Sequence, residues 1–154
     1  MGKYASSYFS PGRGADEVVI GFIDHCHSTL DVAIYSLTHD PIAEAIIRAH
    51  ERGVQVRVLM DSSQAGSQYA DDEKLEAVGI EVRRDIVAGI MHNKFLVGDG
   101  RDGGFAVLTG SYNFTKSATE KNAENFVVIR LQYIATEYRT EFERLWALNA
   151  PVEA

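Results

Sequence analysis

The sequence predicts an α/β fold, a mixed and largely parallel β-sheet sandwiched between helices, and three features carry that prediction. In the first half, apolar residues switch between a two-residue and a 3.6-residue period in the order strand, helix, strand, helix, strand. That alternation favours parallel pairing with helices packed on the sheet. The second half changes character, with strands on shorter connections and one closing amphipathic helix.

Taken in order, residues 4–9 read as a short first strand, ended by the turn PGRG at 11–14. Residues 16–29 carry Val18, Val19, Phe22, Ile23 and Cys26 at helical spacing, with Asp16 near the positive N-terminal end. LDVAIYSL (30–37) alternates as a strand. Pro41 suits the first turn of a helix that runs amphipathically to Gly53, a natural stop. VQVRVLMD (54–61) is the clearest strand. The loop SSQAGSQ (62–68) leads to a helix over 69–78 and a strand over 80–86. Strands at 92–98, 105–111 and 125–130 follow. The helix at 134–148 sets Ile134, Tyr138, Phe142, Leu145 and Trp146 on its apolar side.

A chain of 154 residues with 45% hydrophobic content suits one domain spanning 1–154 with a sizeable core. The net charge of −7 opposes approach to a polyanion, so any such partner must meet a local basic cluster, for which Lys94, Arg101, Lys116 and Lys121 are the candidates. The single cysteine, Cys26, excludes an intramolecular disulfide. No apolar run approaches the ~20 residues that span a bilayer, and MGKYASSYFS lacks the apolar core of a signal peptide. The expectation is a chain without a membrane span, cytoplasmic unless a leader has been removed.

Groups able to handle a phosphate concentrate in one run, HNKFLVGDGRDGGFAVLTGSYNFTKSATEKNAEN, from His92 to Asn125. If His92 begins a strand, the two-residue period sets His92 and Lys94 on one face and Phe95 and Val97 on the other. After the glycine-rich turn GDGRDGG, the strand FAVLT returns to Gly110-Ser111-Tyr112-Asn113, where Ser111 and Asn113 share a face. A fixed positive charge, an amide and a hydroxyl can hold the non-bridging oxygens of a phosphodiester while a neutral imidazole attacks phosphorus. This set requires neither a metal nor another cofactor.

The run His92, one residue, Lys94, four residues, Asp99, then Gly110-Ser111 and Asn113 resembles the HKD signature of the phospholipase D superfamily. Ten residues separate Asp99 from Gly110 where the family pattern has six, and the extra four are assigned to the hairpin turn at 100–104. NFTKSATEKNAEN and the overall length resemble the small bacterial non-specific endonucleases of that superfamily. The resemblance implies a metal-independent phosphodiesterase acting on nucleic acid through a phosphohistidine. His92, Lys94, Ser111, Asn113 and Glu124 are its catalytic residues, with Lys94, Asn113 and Lys116 holding substrate. Glu124, eleven residues after Asn113, is expected to accept the Nδ1 proton of the histidine and fix its tautomer. The mechanism needs two histidines where one motif supplies one, so a homodimer with its site on the two-fold axis is expected. A phospholipid hydrolase or transferase is the alternative, because it uses the same motif. A catalytically silent nucleic-acid-binding module is the weaker third reading.

Other clusters read as structural. Asp24-His25-Cys26-His27 cannot face one way on a helix, where successive residues turn by about 100°, so no metal site is expected. His39 and His50 read as ordinary surface residues. Asp99, seven residues from His92, falls on the opposite face of a regular strand and is assigned a structural role in the turn or sheet.

Overall fold

A computed structural model describes residues 3–86 and 89–150. The elements in chain order are β1 (Ala5–Ser10), α1 (Ala15–Asp24), β2 (Thr29–Ile34), α2 (Asp40–Glu51), β3 (Gln55–Asp61), α3 (Asp72–Ala77), β4 (Glu81–Asp85), β5 (Lys94–Asp99), β6 (Phe105–Gly110), α4 (Lys116–Glu120), β7 (Glu124–Ile129) and α5 (Gln132–Leu148). They build one mixed seven-stranded sheet in the order β1-β7-β6-β5-β2-β3-β4. The strand–helix alternation of the first half yields the parallel pairs β2–β3 and β3–β4. The second half adds the antiparallel neighbours β5, β6 and β7, and β1 returns to close that edge against β7.

Side-chain alternation divides the core between the two faces of the sheet. On one face Leu30, Val32, Ile34, Val58 and Leu96 pack under α1, α2 and α3. On the other, Ala33, Leu59, Phe95 and Val97 meet Phe142, Leu145 and Trp146 of α5, the helix face its periodicity predicts. Among the described residues no helix is long and apolar enough to cross a membrane.

Several boundaries differ from expectation. Helix α1 stops at Asp24 instead of reaching residue 29, because the Asp99 carboxylate accepts the backbone N–H groups of Ser28 and Thr29, both at 2.9 Å, and its carbonyl accepts that of His27. Tertiary bonds thus claim the residues that would have continued the helix. The expected helix at 69–78 shortens to α3. A short helix, α4, appears where none was read; its signal was Thr115, whose hydroxyl caps the turn by accepting the Ala118 N–H at 3.0 Å. The strand expected from His92 begins at Lys94, and the one expected over 30–37 ends at Ile34. His39 is half-buried rather than an ordinary surface group, joining α2 to α1 through Asp16 at 3.0 Å.

The candidate active site

All the carboxyl ends of the parallel strands β2, β3 and β4 point to one edge of the sheet, and the antiparallel register brings Lys94 of β5 opposite Ile34 there. The start of β7 reaches the same edge, and Phe95 pairs with Thr109, which places Gly110 and Ser111 beside the start of β5. Gly110 is required at this point. A Cβ there would run into the Asn125 carbonyl and the Phe126 Cα, so only glycine lets β6 pass so close to β7.

His92 lies two residues ahead of the strand and is exposed, while Lys94 is buried. The Lys94 Nζ nevertheless stands 2.9 Å from Nδ1 and 3.1 Å from Nε2 of the imidazole, able to donate to whichever nitrogen is unprotonated. Burial lowers the Lys94 pKa, and the nearby Glu124 carboxylate partly offsets that fall. Two residues that sequence reading missed shape this pair. The Tyr35 ring meets the His92 ring edge-on at 4.7 Å, and its face lies 5.5 Å from the Lys94 ammonium. Its backbone N–H donates to the Asn93 carbonyl, and Gln64 donates to its hydroxyl. Asp61, at the end of β3, accepts the Met91 N–H at 2.7 Å as well as the N–H and hydroxyl of Ser63. Neither residue belongs to a spaced motif; a polar residue ending an apolar strand was the available signal for Asp61.

Asn113 is half-buried and turns its Oδ1 to the Ser36 N–H at 3.2 Å, on the segment next to Tyr35. That bond orients the amide. Ser111 donates to the Glu124 carboxylate at 2.7 Å, and Asn122 donates to the other carboxylate oxygen at 3.5 Å. Within one chain, then, Glu124 bonds to Ser111 and Asn122, and the expected hydrogen bond to His92 is not made. Lys116 begins α4, exposed, with its Nζ 4.0 Å from Glu120. Arg101 leaves the group: it sits in the β5–β6 turn, at the far end of the strands from Lys94.

That same remote turn, to which the four extra residues are assigned, is closed by Gly100 N–H to the Gly104 carbonyl and by the Asp102 carboxylate on Gly104 N–H, both at 2.9 Å. Asp99 stays structural. Burial pushes its carboxyl up, but the Thr29 and Ser28 N–H groups it accepts outweigh that and hold it below the usual carboxylate range. The Asp24–His27 run gathers no ligands around one point, and His25 bonds the Gly21 carbonyl. Among the described residues no group of His, Cys, Asp and Glu is arranged to hold a metal ion.

Comparison with known proteins identifies the family. The cardiolipin synthase, PLD-like domain family matches residues 19–146. A mitochondrial cardiolipin hydrolase of Chlamydomonas reinhardtii is 36% identical over 128 residues, covering 81% of this chain and 56% of that protein. A phospholipase D of Rickettsia conorii is 35% identical over 133 residues, covering 86% and 64%. The chain thus spans between about half and two thirds of these relatives. Among solved structures, the phospholipase D family member Nuc from Salmonella typhimurium superposes with a TM-score of 0.86 at 28% identity, covering 97% of this chain and 98% of that one. NucT from Helicobacter pylori gives 0.84 at 23% identity, covering 93% and 95%, a likeness of fold. On the family match and the shared fold together, the chain belongs to the phospholipase D superfamily.

Proposed function

We propose that the chain is a metal-independent phosphodiesterase, and specifically a non-specific endonuclease of DNA and RNA that works as a two-fold dimer. The observation that carries this reading is the His92–Lys94 contact of 2.9 Å at the edge of the sheet, beside an oriented Asn113 and the Ser111–Glu124 pair. The cations and amide supply the electrostatic clamp that a metal would otherwise provide. The superposition on Nuc, with a TM-score of 0.86, supports the nuclease.

In the first step His92 Nε2 forms a bond to phosphorus, the phosphorus–oxygen bond to the leaving group breaks, and that oxygen takes a proton from His92 of the partner subunit. In the second step water attacks phosphorus and gives its proton to the partner's imidazole, now neutral, while the phosphorus–nitrogen bond breaks and its electron pair returns to Nε2, restoring His92. Each chain has one such histidine, so two copies must face each other across an axis. The Glu124 carboxylate then fixes an imidazole tautomer across that axis, consistent with its lack of a bond to His92 in the same chain.

A second reading, hydrolysis of a phosphatidyl diester, is favoured by the 36% and 35% identities to proteins called cardiolipin hydrolase and phospholipase D. The deciding experiment offers purified protein single-stranded DNA, duplex DNA, RNA, bis-p-nitrophenyl phosphate and cardiolipin side by side in excess EDTA. Turnover of the nucleic acids and of the small diester is expected. Turnover of cardiolipin alone selects the second reading. Loss of all activity in chelator, restored by Mg²⁺ or Zn²⁺, overturns the mechanism.

A further inference from the structure

Helix α5 covers the sheet face formed by β2, β5 and β6 and reaches Ile129 of β7, but leaves β1 and the site end of β7 open on that face: Ala5, Ser7, Phe9 and Asn125 are all exposed. At the site end of this open face, the register sets three residues in a cross-strand row. Phe9 of β1 pairs with Asn125 of β7, and Asn125 lies opposite Ser111, whose N–H donates to the Asn125 carbonyl at 2.9 Å. Neighbouring strands are about 4.8 Å apart, so Phe9 stands roughly 10 Å from Ser111, within reach of a nucleotide flanking the scissile phosphate.

Phe9 is 47% exposed, although its neighbour Tyr8 faces inward and stacks on Phe126 at 5.3 Å. The Arg13 guanidinium lies over the Phe9 ring at 5.7 Å, and among the described residues Arg13 makes no ion pair. The turn carrying Arg13 is tied to the end of α4, since Gly12 N–H donates to the Thr119 carbonyl at 3.1 Å and Ser10 donates to the Asn122 carbonyl at 2.9 Å. Lys121, exposed and also without an ion pair among the described residues, therefore belongs to the same rim. In a chain of net charge −7, Phe9 is thus an exposed ring capped by a guanidinium that makes no ion pair among the described residues.

We infer that Phe9 and Arg13 form a stacking subsite for a base of single-stranded nucleic acid, with Arg13 and Lys121 drawing in the adjacent phosphate. Every base has a π-face and every nucleotide a negative charge, so this pairing suits binding without sequence preference. An apolar ring alone would equally suit a lipid surface; the guanidinium held over a base-sized platform favours the nucleotide. The inference rests on the nuclease reading of the adjoining site and specifies how that site holds its substrate.

Binding is measured by fluorescence anisotropy with the His92→Ala chain as the parent, which separates affinity from turnover. Against a labelled oligo-dT, adding Phe9→Ala should weaken binding about tenfold, Phe9→Trp should preserve it, and Arg13→Ala should reduce the salt slope by about one. An oligonucleotide carrying abasic sites should bind the parent and the Phe9→Ala chain alike. The inference is overturned if Phe9→Ala binds intact and abasic strands as the parent does. It is also overturned if Phe9→Ala changes the oligomeric state, which makes Phe9 an interface residue, or selectively weakens binding to cardiolipin-containing vesicles, which makes the platform a membrane contact. Failure of the wild-type chain to cleave any nucleic acid overturns the nuclease reading separately, because the affinity comparison does not depend on cleavage.

Discussion

The Asp61 carboxylate accepts the Met91 N–H at 2.7 Å, tying the end of β3 to the residue immediately before His92. Burial raises its pKa, but the Ser63 and Met91 hydrogen bonds and the nearby imidazole outweigh that and hold it below the ordinary carboxylate value. A carboxyl depressed on folding contributes stability above its unfolded pKa of about 3.9, lost as pH falls through the folded value. Asp61→Ala leaves a buried Met91 N–H unsatisfied and should cost about 1–3 kcal/mol at pH 7, together with activity. Urea unfolding at pH 7 and below pH 3 checks this: the gap between wild type and Asp61→Asn should narrow in acid. An equal gap at both pH values removes the ionised carboxylate from the explanation.

Lys94 should separate function from stability. Its folded pKa is lowered by burial, so the unfolded chain holds the proton more tightly. Stability from this group therefore rises with pH, from the folded pKa up to the unfolded value near 10.4. Lys94→Met, which keeps the volume and drops the buried charge, should lower phosphodiesterase activity by a factor of about 100 or more while leaving the thermal midpoint at pH 7 unchanged or higher. A large fall in the midpoint would show that the ammonium is structural.

Gly110→Ala should be damaging despite the exposure of the position, because its Cβ meets main-chain atoms of Asn125 and Phe126 that cannot rotate away. Overpacking of this kind costs typically about 1–3 kcal/mol, and β6 must move with Ser111. Chemical denaturation and bis-p-nitrophenyl phosphate turnover should both decline. Wild-type values for either would mean that β6 and β7 separate more easily than their register suggests.

Glu124→Gln should lower the rate without unfolding the protein, since Ser111 can still donate to the remaining amide oxygen. One imidazole must be neutral and the other charged, so the wild-type rate should be bell-shaped in pH. Identical kinetics and profile would remove Glu124 from the chemistry.

The shared site makes a stoichiometric prediction. After wild-type and His92→Ala chains are mixed one to one and exchanged by mild unfolding and refolding, random pairing leaves about one quarter of dimers with both histidines. Activity should fall to roughly a quarter of an all-wild-type sample at equal chain concentration, with a size tag confirming exchange. A value near one half would mean that each chain acts alone.

By itself the sequence determined the strand–helix order apart from α4, the apolar side of α5 and the superfamily, and it singled out His92, Lys94, Ser111 and Asn113. These are legible because they depend on residue spacing within short segments: a period of two or 3.6, and a motif fixed in number along two adjacent strands. Tertiary structure alone decided where α1 stops, because Asp99, seventy-one residues from Ser28, captures its N–H. It alone decided that Tyr35 and Asp61 support His92, since parallel strands bring their ends to one edge whatever their separation in sequence. It also removed Arg101 from the site and set Glu124 on Ser111. An antiparallel hairpin sends its turn to the opposite end from its tips, and which carboxylate meets which donor depends on strand register, which no local pattern encodes.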